Sequence, residues 1–237
     1  MIQFSNDLSV NLVDSMGGDH SVLAAMMVST QGPQSQEFLS MPTDESRGKI
    51  EFLMKNRHGS PFEHGAMTFF VEAPIAVFRE WHRHRIGFSY NEVSGRYTQL
   101  EPKFYVPPRH RPITQVGKPG HYTFEAGTDE QYQILVAEIE QQCTSAYSSY
   151  ERQLNSGVAK EVARGVLPVY TYSSMYVTLN PRSLMSFLSL RTTDKHSTFP
   201  SFPMWEIEQC GRSMEIPFKD KYPITAEAFR KFGSVSP

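Results

Sequence analysis

The stretch REWHRHRIGFSYNEVSGRY, Arg79 to Tyr97, packs four arginines, two histidines, two carboxylates, two serines and an asparagine into nineteen residues. What lies upstream fixes what it is built on. AMTFFVEA (66–73) reads as a buried strand, and Pro74 sets up the first turn of an apolar helix, IAVFREWHRHR, so the dense stretch begins on a helix and continues into a loop. At about 100° per residue, Glu80, Arg83 and His84 share one arc, opposite Ile75, Val77, Phe78 and Trp81. A solvated face on which Glu80 pairs with Arg83 and His84 accounts for that arc. It leaves His82 and Arg85 unexplained, because they fall beside the apolar arc, where charged groups are usually paired or functional.

Working outward, the first residues alternate as a strand, and Asp19 is placed to cap an apolar helix, HSVLAAMMV. Thr43, followed by Asp44 and Glu45, opens another helix ahead of a break at His58 to Pro61. Downstream, 102–127 is rich in Pro, Gly and His and reads as a surface excursion, a lid or an oligomer contact. Thr128 starts the longest helix, which stops near Gly157. AKEVARGVL is a short helix ending at Pro168, VYTYSSMYVTL is rich in β-formers, and Asn180 with Pro181 caps the helix RSLMSFLSLR. Two further helices, around WEIEQCGRSM and AEAFRKF, complete a single mixed α/β domain over 1–237, of α+β type, with a central sheet flanked by helices.

Composition narrows the function. A net charge of −2 gives no general attraction for polyanions, so any anion site is local. Cys143 and Cys210 form no CxxC pair and read as reduced thiols, no apolar run is long enough to span a bilayer, and no signal sequence opens the chain, so a cytoplasmic protein is expected. His82 and His84 point about 200° apart on a helix and share no metal. Ser94 lacks a GxSxG elbow, and neither cysteine has a histidine beside it, so a bound cofactor is a better source of chemistry than a protein nucleophile. Ser94, Gly95 and Arg96 can cradle an anion. Altogether the stretch suits two anionic nucleotides, with arginines for phosphates and His, Asn, Ser and Glu for bases and riboses.

RHRIGFSYNEVSGRY resembles the signature of the flavin-dependent thymidylate synthases, Arg-His-Arg, seven arbitrary residues, then Ser. HGSPFEH, FREWHRHR, ARGVLP, NPRSLMSFLSLR, His196 and WEIEQ also resemble that family's segments, in order, over about residues 55 to 210. Two departures stand out: eight residues, Ile86 to Val93, precede Ser94 here, and Glu80 occupies a position where many relatives carry Gln.

The resemblance implies that family's fold and a homotetramer in which FAD and dUMP lie at sites built by several subunits, converting dUMP to dTMP. Methylenetetrahydrofolate would supply the carbon, and NADPH the electrons through FAD, with tetrahydrofolate released. It implies flavin contacts at His58, Ser60, Glu63, Arg83, His84, Arg85, Ile86, Asn91, Glu92, Asn180, Arg182 and His196. It implies nucleotide contacts at Glu80, Arg83, Glu92, Val93, Ser94, Gly95, Arg96, Arg164 and Arg191. Arg191 is expected to be catalytic, stabilising charge on the uracil ring, and Ser94 to orient the nucleotide rather than attack it. Two rivals remain at this point. WHRHR, PPRHRP and the many aromatics could serve an oligonucleotide-binding module. Alternatively, Glu80 and the extra loop residue could mark a flavoprotein of this fold with a changed substrate.

Overall fold

The computed structural model describes residues 1–40, 43–118 and 121–237, and among residues 43–45 and 121 the backbone only. In chain order its elements are β1 (Gln3–Ser5), β2 (Ser9–Met16), α1 (Asp19–Gln31), α2 (Thr43–Lys55), β3 (Ala66–Pro74), α3 (Ile75–Trp81), β4 (Phe88–Glu92), β5 (Lys103–Tyr105), β6 (Thr114–Lys118) and β7 (His121–Glu125). They continue with α4 (Asp129–Asn155), α5 (Lys160–Ala163), β8 (Tyr172–Leu179), α6 (Pro181–Arg191), α7 (Trp205–Lys221) and α8 (Pro223–Lys231). The chain is thus mixed α/β, as the sequence indicates. Thr43 lies inside α2, and the capping role read for its side chain falls outside the described residues.

The residues group into two compact units. One comprises 1–7, 72–79 and 92–174. In it β1 pairs parallel with β5, and the expected excursion is in part a hairpin, β6 against β7. Thr128 opens α4 through a reciprocal cap: its hydroxyl accepts from Gln131 N, and the Gln131 side chain accepts from Thr128 N. Phe104, Cys143, Tyr147, Tyr150 and Ala163 form this unit's buried cluster. The Tyr147 hydroxyl donates to Leu100 O at 3.1 Å, so a buried aromatic also ties down the loop that follows the dense stretch.

The other unit comprises 8–71, 80–91 and 175–237. The four-stranded sheet has the order β2-β3-β8-β4. Alternation is explicit: Met67, Phe69 and Val71 of β3 and Met175, Val177 and Leu179 of β8 are buried, while Thr68 and Thr178 face one another at 3.0 Å. α6 packs on α7, and α7 on both β2 and α8. Asp19 does not cap its own helix as expected. It is the first residue of α1, and its carboxylate accepts from Ile224 N (2.7 Å), Thr225 N (3.0 Å) and the Thr225 hydroxyl (2.6 Å). Pro223 occupies the first turn of α8 without an N–H, so these are donors that the helix leaves unsatisfied, at the end where its dipole favours an anion.

Candidate active site

The helix carrying the dense stretch is shorter than its pattern implies. α3 stops at Trp81, so the arcs drawn through Arg85 do not form. Arg83 and Arg85 are exposed and His82 half-buried, whereas His84 is the buried member, at 9% exposure. A donor from the next strand accounts for the stop. The Tyr90 hydroxyl, on β4, donates to both Trp81 O (3.0 Å) and His84 O (2.7 Å), taking up carbonyls that a continuing helix would use. Burial pushes that phenol's pKa well up, so it stays a donor.

The turn that follows is seated on the start of α6. Gly87 has φ +71°, and a Cβ there would stand 2.2 Å from Ser183 Oγ and 2.8 Å from Asn180 Nδ2, so only glycine fits. Ser183 Oγ donates to Ile86 O at 2.8 Å, and Asn180 caps α6 by accepting from Ser183 N at 2.8 Å. Ile86 itself projects outward at 92% exposure.

The far end of α6 carries Arg191, which meets Glu80 and His84. Arg191 Nη1 lies 3.0 Å from Glu80 Oε2, its Nη2 donates to Glu80 O at 3.4 Å, and its Nε donates to His84 Nε2 at 3.1 Å. Glu80 therefore pairs with Arg191 and not with Arg83 or His84. His84 packs against Phe187 (ring centroids 4.9 Å apart) and Phe88 (5.8 Å). Its pKa is lowered to about 4, first by burial and then by the Arg191 and Arg83 charges, which fits an acceptor imidazole.

A second cluster sits at the start of the same helix. Arg182 Nη1 pairs with Glu63 Oε1 at 2.6 Å, and its Nε donates to Pro237 O at 2.6 Å. A Cβ on Gly59 would fall 2.5 Å from Arg182 Cζ, so the guanidinium lies on bare backbone beside the exposed His58 and Ser60. His196 is exposed on a loop pinned by Asp194, whose carboxylate accepts from His196 N (2.8 Å), Ser234 Oγ (2.6 Å) and Arg230 Nη1 (3.1 Å). Those bonds hold the Asp194 pKa below its usual value, the Ser234 contact most of all. Asn91 is exposed near the end of β4.

The remaining expected residues belong to the other unit. Glu92, Val93, Gly95 and Arg164 line a cavity of about 320 Å³ with Glu161 and Ser173. Ser94 closes a turn: its carbonyl accepts from Tyr97 N and Thr98 N, both at 3.0 Å, and its hydroxyl from Arg96 N at 3.3 Å. Arg96 Nε pairs with Glu161 at 2.8 Å. A Cβ on Gly95 would come within 3.1 Å of Arg164 Cδ, so the glycine allows the arginine its close approach.

Two residues of this cavity escaped the sequence reading. Ser173, buried on β8, donates to Glu92 Oε1 at 2.7 Å and fixes that carboxylate. Glu161, three residues before Arg164, holds Arg96. Only the spacing within KEVAR could have pointed to Glu161, and nothing local marks Ser173 in a β-rich run. Cys143 and Cys210 are buried free thiols with pKa values pushed up to about 11 and about 12 by burial, poor nucleophiles as expected.

Comparison with known proteins agrees in one direction. A family model described as "Thymidylate synthase complementing protein" matches residues 11–224. The chain is 50% identical over 236 residues to the flavin-dependent thymidylate synthase of Streptomyces coelicolor, covering 100% of this chain and 96% of that one. It is 48% identical over 237 residues to the enzyme of that name from Tropheryma whipplei (99% and 97% covered). Among solved structures, the UMP/dUMP methylase PolB from Streptomyces cacaoi bound with 5-Br dUMP superposes with a TM-score of 0.94 at 44% identity, covering all of both chains. PolB bound with 5-Br UMP gives 0.91.

Proposed function

The chain belongs to the flavin-dependent thymidylate synthase family, and from that premise we infer that it methylates dUMP to dTMP with methylenetetrahydrofolate and NADPH as co-substrates. We read it as a cytoplasmic homotetramer whose two units per chain serve this one activity. Among the described residues no helix is long and apolar enough to cross a membrane.

The observation that carries the reading is the arrangement along α6. Asn180 and Arg182 stand at its start and Arg191 at its end, so the two clusters are carried on one helix. At about 1.5 Å per residue, the nine steps from Arg182 to Arg191 span roughly 14 Å.

The donor set fits a dinucleotide. Arg182, laid on the Gly59 backbone, and the exposed Arg83 and Arg85 suit a diphosphate, while His58, Ser60, Asn91 and His196 offer polar contacts for ribose and ring. When bound, FAD supplies the hydride chemistry that the side chains lack. In the other unit, Arg96, Arg164 and the turn at Ser94 and Gly95 suit the phosphate dianion of dUMP, with Glu161 holding Arg96 until phosphate takes its place. Ser173 commits one Glu92 oxygen and leaves the other for a ligand N–H or O–H. On this reading Arg191 would donate to the uracil carbonyls and hold the ring while C5 bonds to the methylene carbon and loses its proton, and the bond from that carbon to the folate nitrogen breaks as the carbon takes the hydride that originates in NADPH. Tetrahydrofolate is the folate product.

The test is the visible spectrum of the purified protein, followed by NADPH in the absence of air, with and without dUMP. The reading predicts a flavin spectrum that bleaches and that shifts on adding dUMP. A colourless protein that takes up no FAD contradicts it. The fold shared with a UMP/dUMP methylase makes UMP the control: methylation of UMP at the rate of dUMP would widen the substrate class.

A further inference from the structure

The motif histidine is expected to touch flavin, yet its geometry gives it another task. Resting on the role of Arg191 stated above, we propose that His84 is a positioning residue for Arg191, a fixed neutral acceptor that sets the plane of its guanidinium. Arg carries five N–H donors in a rigid fork. Among the described residues, Nε–H goes to His84 Nε2 (3.1 Å), one Nη1–H to Glu80 Oε2 (3.0 Å) and one Nη2–H to Glu80 O (3.4 Å).

Two donors remain, one on each terminal nitrogen, which suits a carbonyl oxygen gaining negative charge. The Glu80 carboxylate alone would leave the fork free to turn about its last torsion. The bond at Nε prevents that turn, because Nε is the atom through which the plane rotates.

Acceptance at Nε2 requires the imidazole to be neutral, with its proton on Nδ1. The surroundings enforce both charge state and orientation. The residue is 9% exposed, its ring packs against Phe187 and Phe88, which also meet each other (centroids 6.2 Å apart), and its carbonyl is anchored by the Tyr90 hydroxyl. Protonation would remove the acceptor and set a cation against Arg191. So little exposed ring, with its acceptor nitrogen committed, acts on the reaction through Arg191.

A double-mutant cycle on the full-length, FAD-loaded protein tests this, reading kcat and KM for dTMP formation. Glutamine can place Oε1 near the position of Nε2, whereas asparagine is too short. His84→Gln is expected to stay within about threefold of wild type in kcat and His84→Asn to fall by about 10- to 100-fold, with KM for dUMP changing less. In an Arg191→Lys background, which has no Nε–H, His84→Asn is expected to cost nothing further. Equal impairment by Gln and Asn, loss of FAD from both, or costs that multiply in the double variant would each overturn the proposal. Undiminished turnover by Arg191→Lys would instead remove the role of Arg191 itself.

Discussion

Glu80 Oε2 stands 3.0 Å from Arg191 Nη1, an ion pair that joins the end of α3 to the last residue of α6. Their side chains are 38% and 18% exposed, so part of the attraction is screened, and the pair matters more for geometry than for stability. Glu80→Gln keeps an acceptor facing Nη1 and removes the charge, so kcat is expected to stay within about threefold of wild type, whereas Glu80→Ala should lower it by about tenfold. Steady-state dTMP formation checks both.

Acid stability should report the burial of His84. Its pKa is lowered from 6.5 to about 4 by burial, with Arg191 and Arg83 adding to the effect. Between those two values the unfolded chain binds a proton that the folded chain does not. Stability is therefore expected to fall as pH drops through that window, by on the order of 3 kcal/mol from this group, with no contribution above it. Wild type should lose stability relative to His84→Gln as pH falls from 6.5 to 4, and the difference between their denaturant midpoints should be flat above that window.

On the proposed function, Ser94 orients the nucleotide. Its hydroxyl accepts from Arg96 N, and among the described residues no base accepts its proton, so Ser94→Ala should raise KM for dUMP by about tenfold with a smaller effect on kcat. Mass spectrometry of the protein trapped during turnover should find no nucleotide on Ser94. An adduct there would reverse the assignment.

Asp19 contributes to stability through a helix 205 residues away. Asp19→Ala leaves two backbone N–H groups and one hydroxyl of α8 without their acceptor. The expected cost is about 2 kcal/mol, or roughly 4 to 8 °C in Tm for a chain of this size. Calorimetry at neutral pH measures it.

Local signals were legible wherever the chain settles its own hydrogen bonds. Thr128, with Asp129 and Glu130 behind it, and Asn180 with Pro181 mark helix starts within a few residues, and both helices start as expected. Legibility failed where the partner is distant. Nothing in IAVFREWHRHR announces that Tyr90 takes the carbonyls of Trp81 and His84, so the pattern puts His82 and Arg85 beside the core where the structure buries His84. Asp19 failed in the same way, reading as a cap for the helix beside it while its acceptors serve Ile224 and Thr225. Candidate residues were found through motif order, but their pairing, Glu80 with Arg191 and Ser173 with Glu92, depends on strands and helices far apart in sequence.

The most direct test of the central claim is dTMP formation by the FAD-loaded protein from dUMP, methylenetetrahydrofolate and NADPH without air, with the folate product identified and Arg191→Ala run alongside. The account predicts dTMP and tetrahydrofolate in equal amounts, and a loss of about 100-fold or more in Arg191→Ala while FAD is retained. Dihydrofolate as the product, or an Arg191→Ala protein that sheds FAD yet turns over normally per bound flavin, would contradict it.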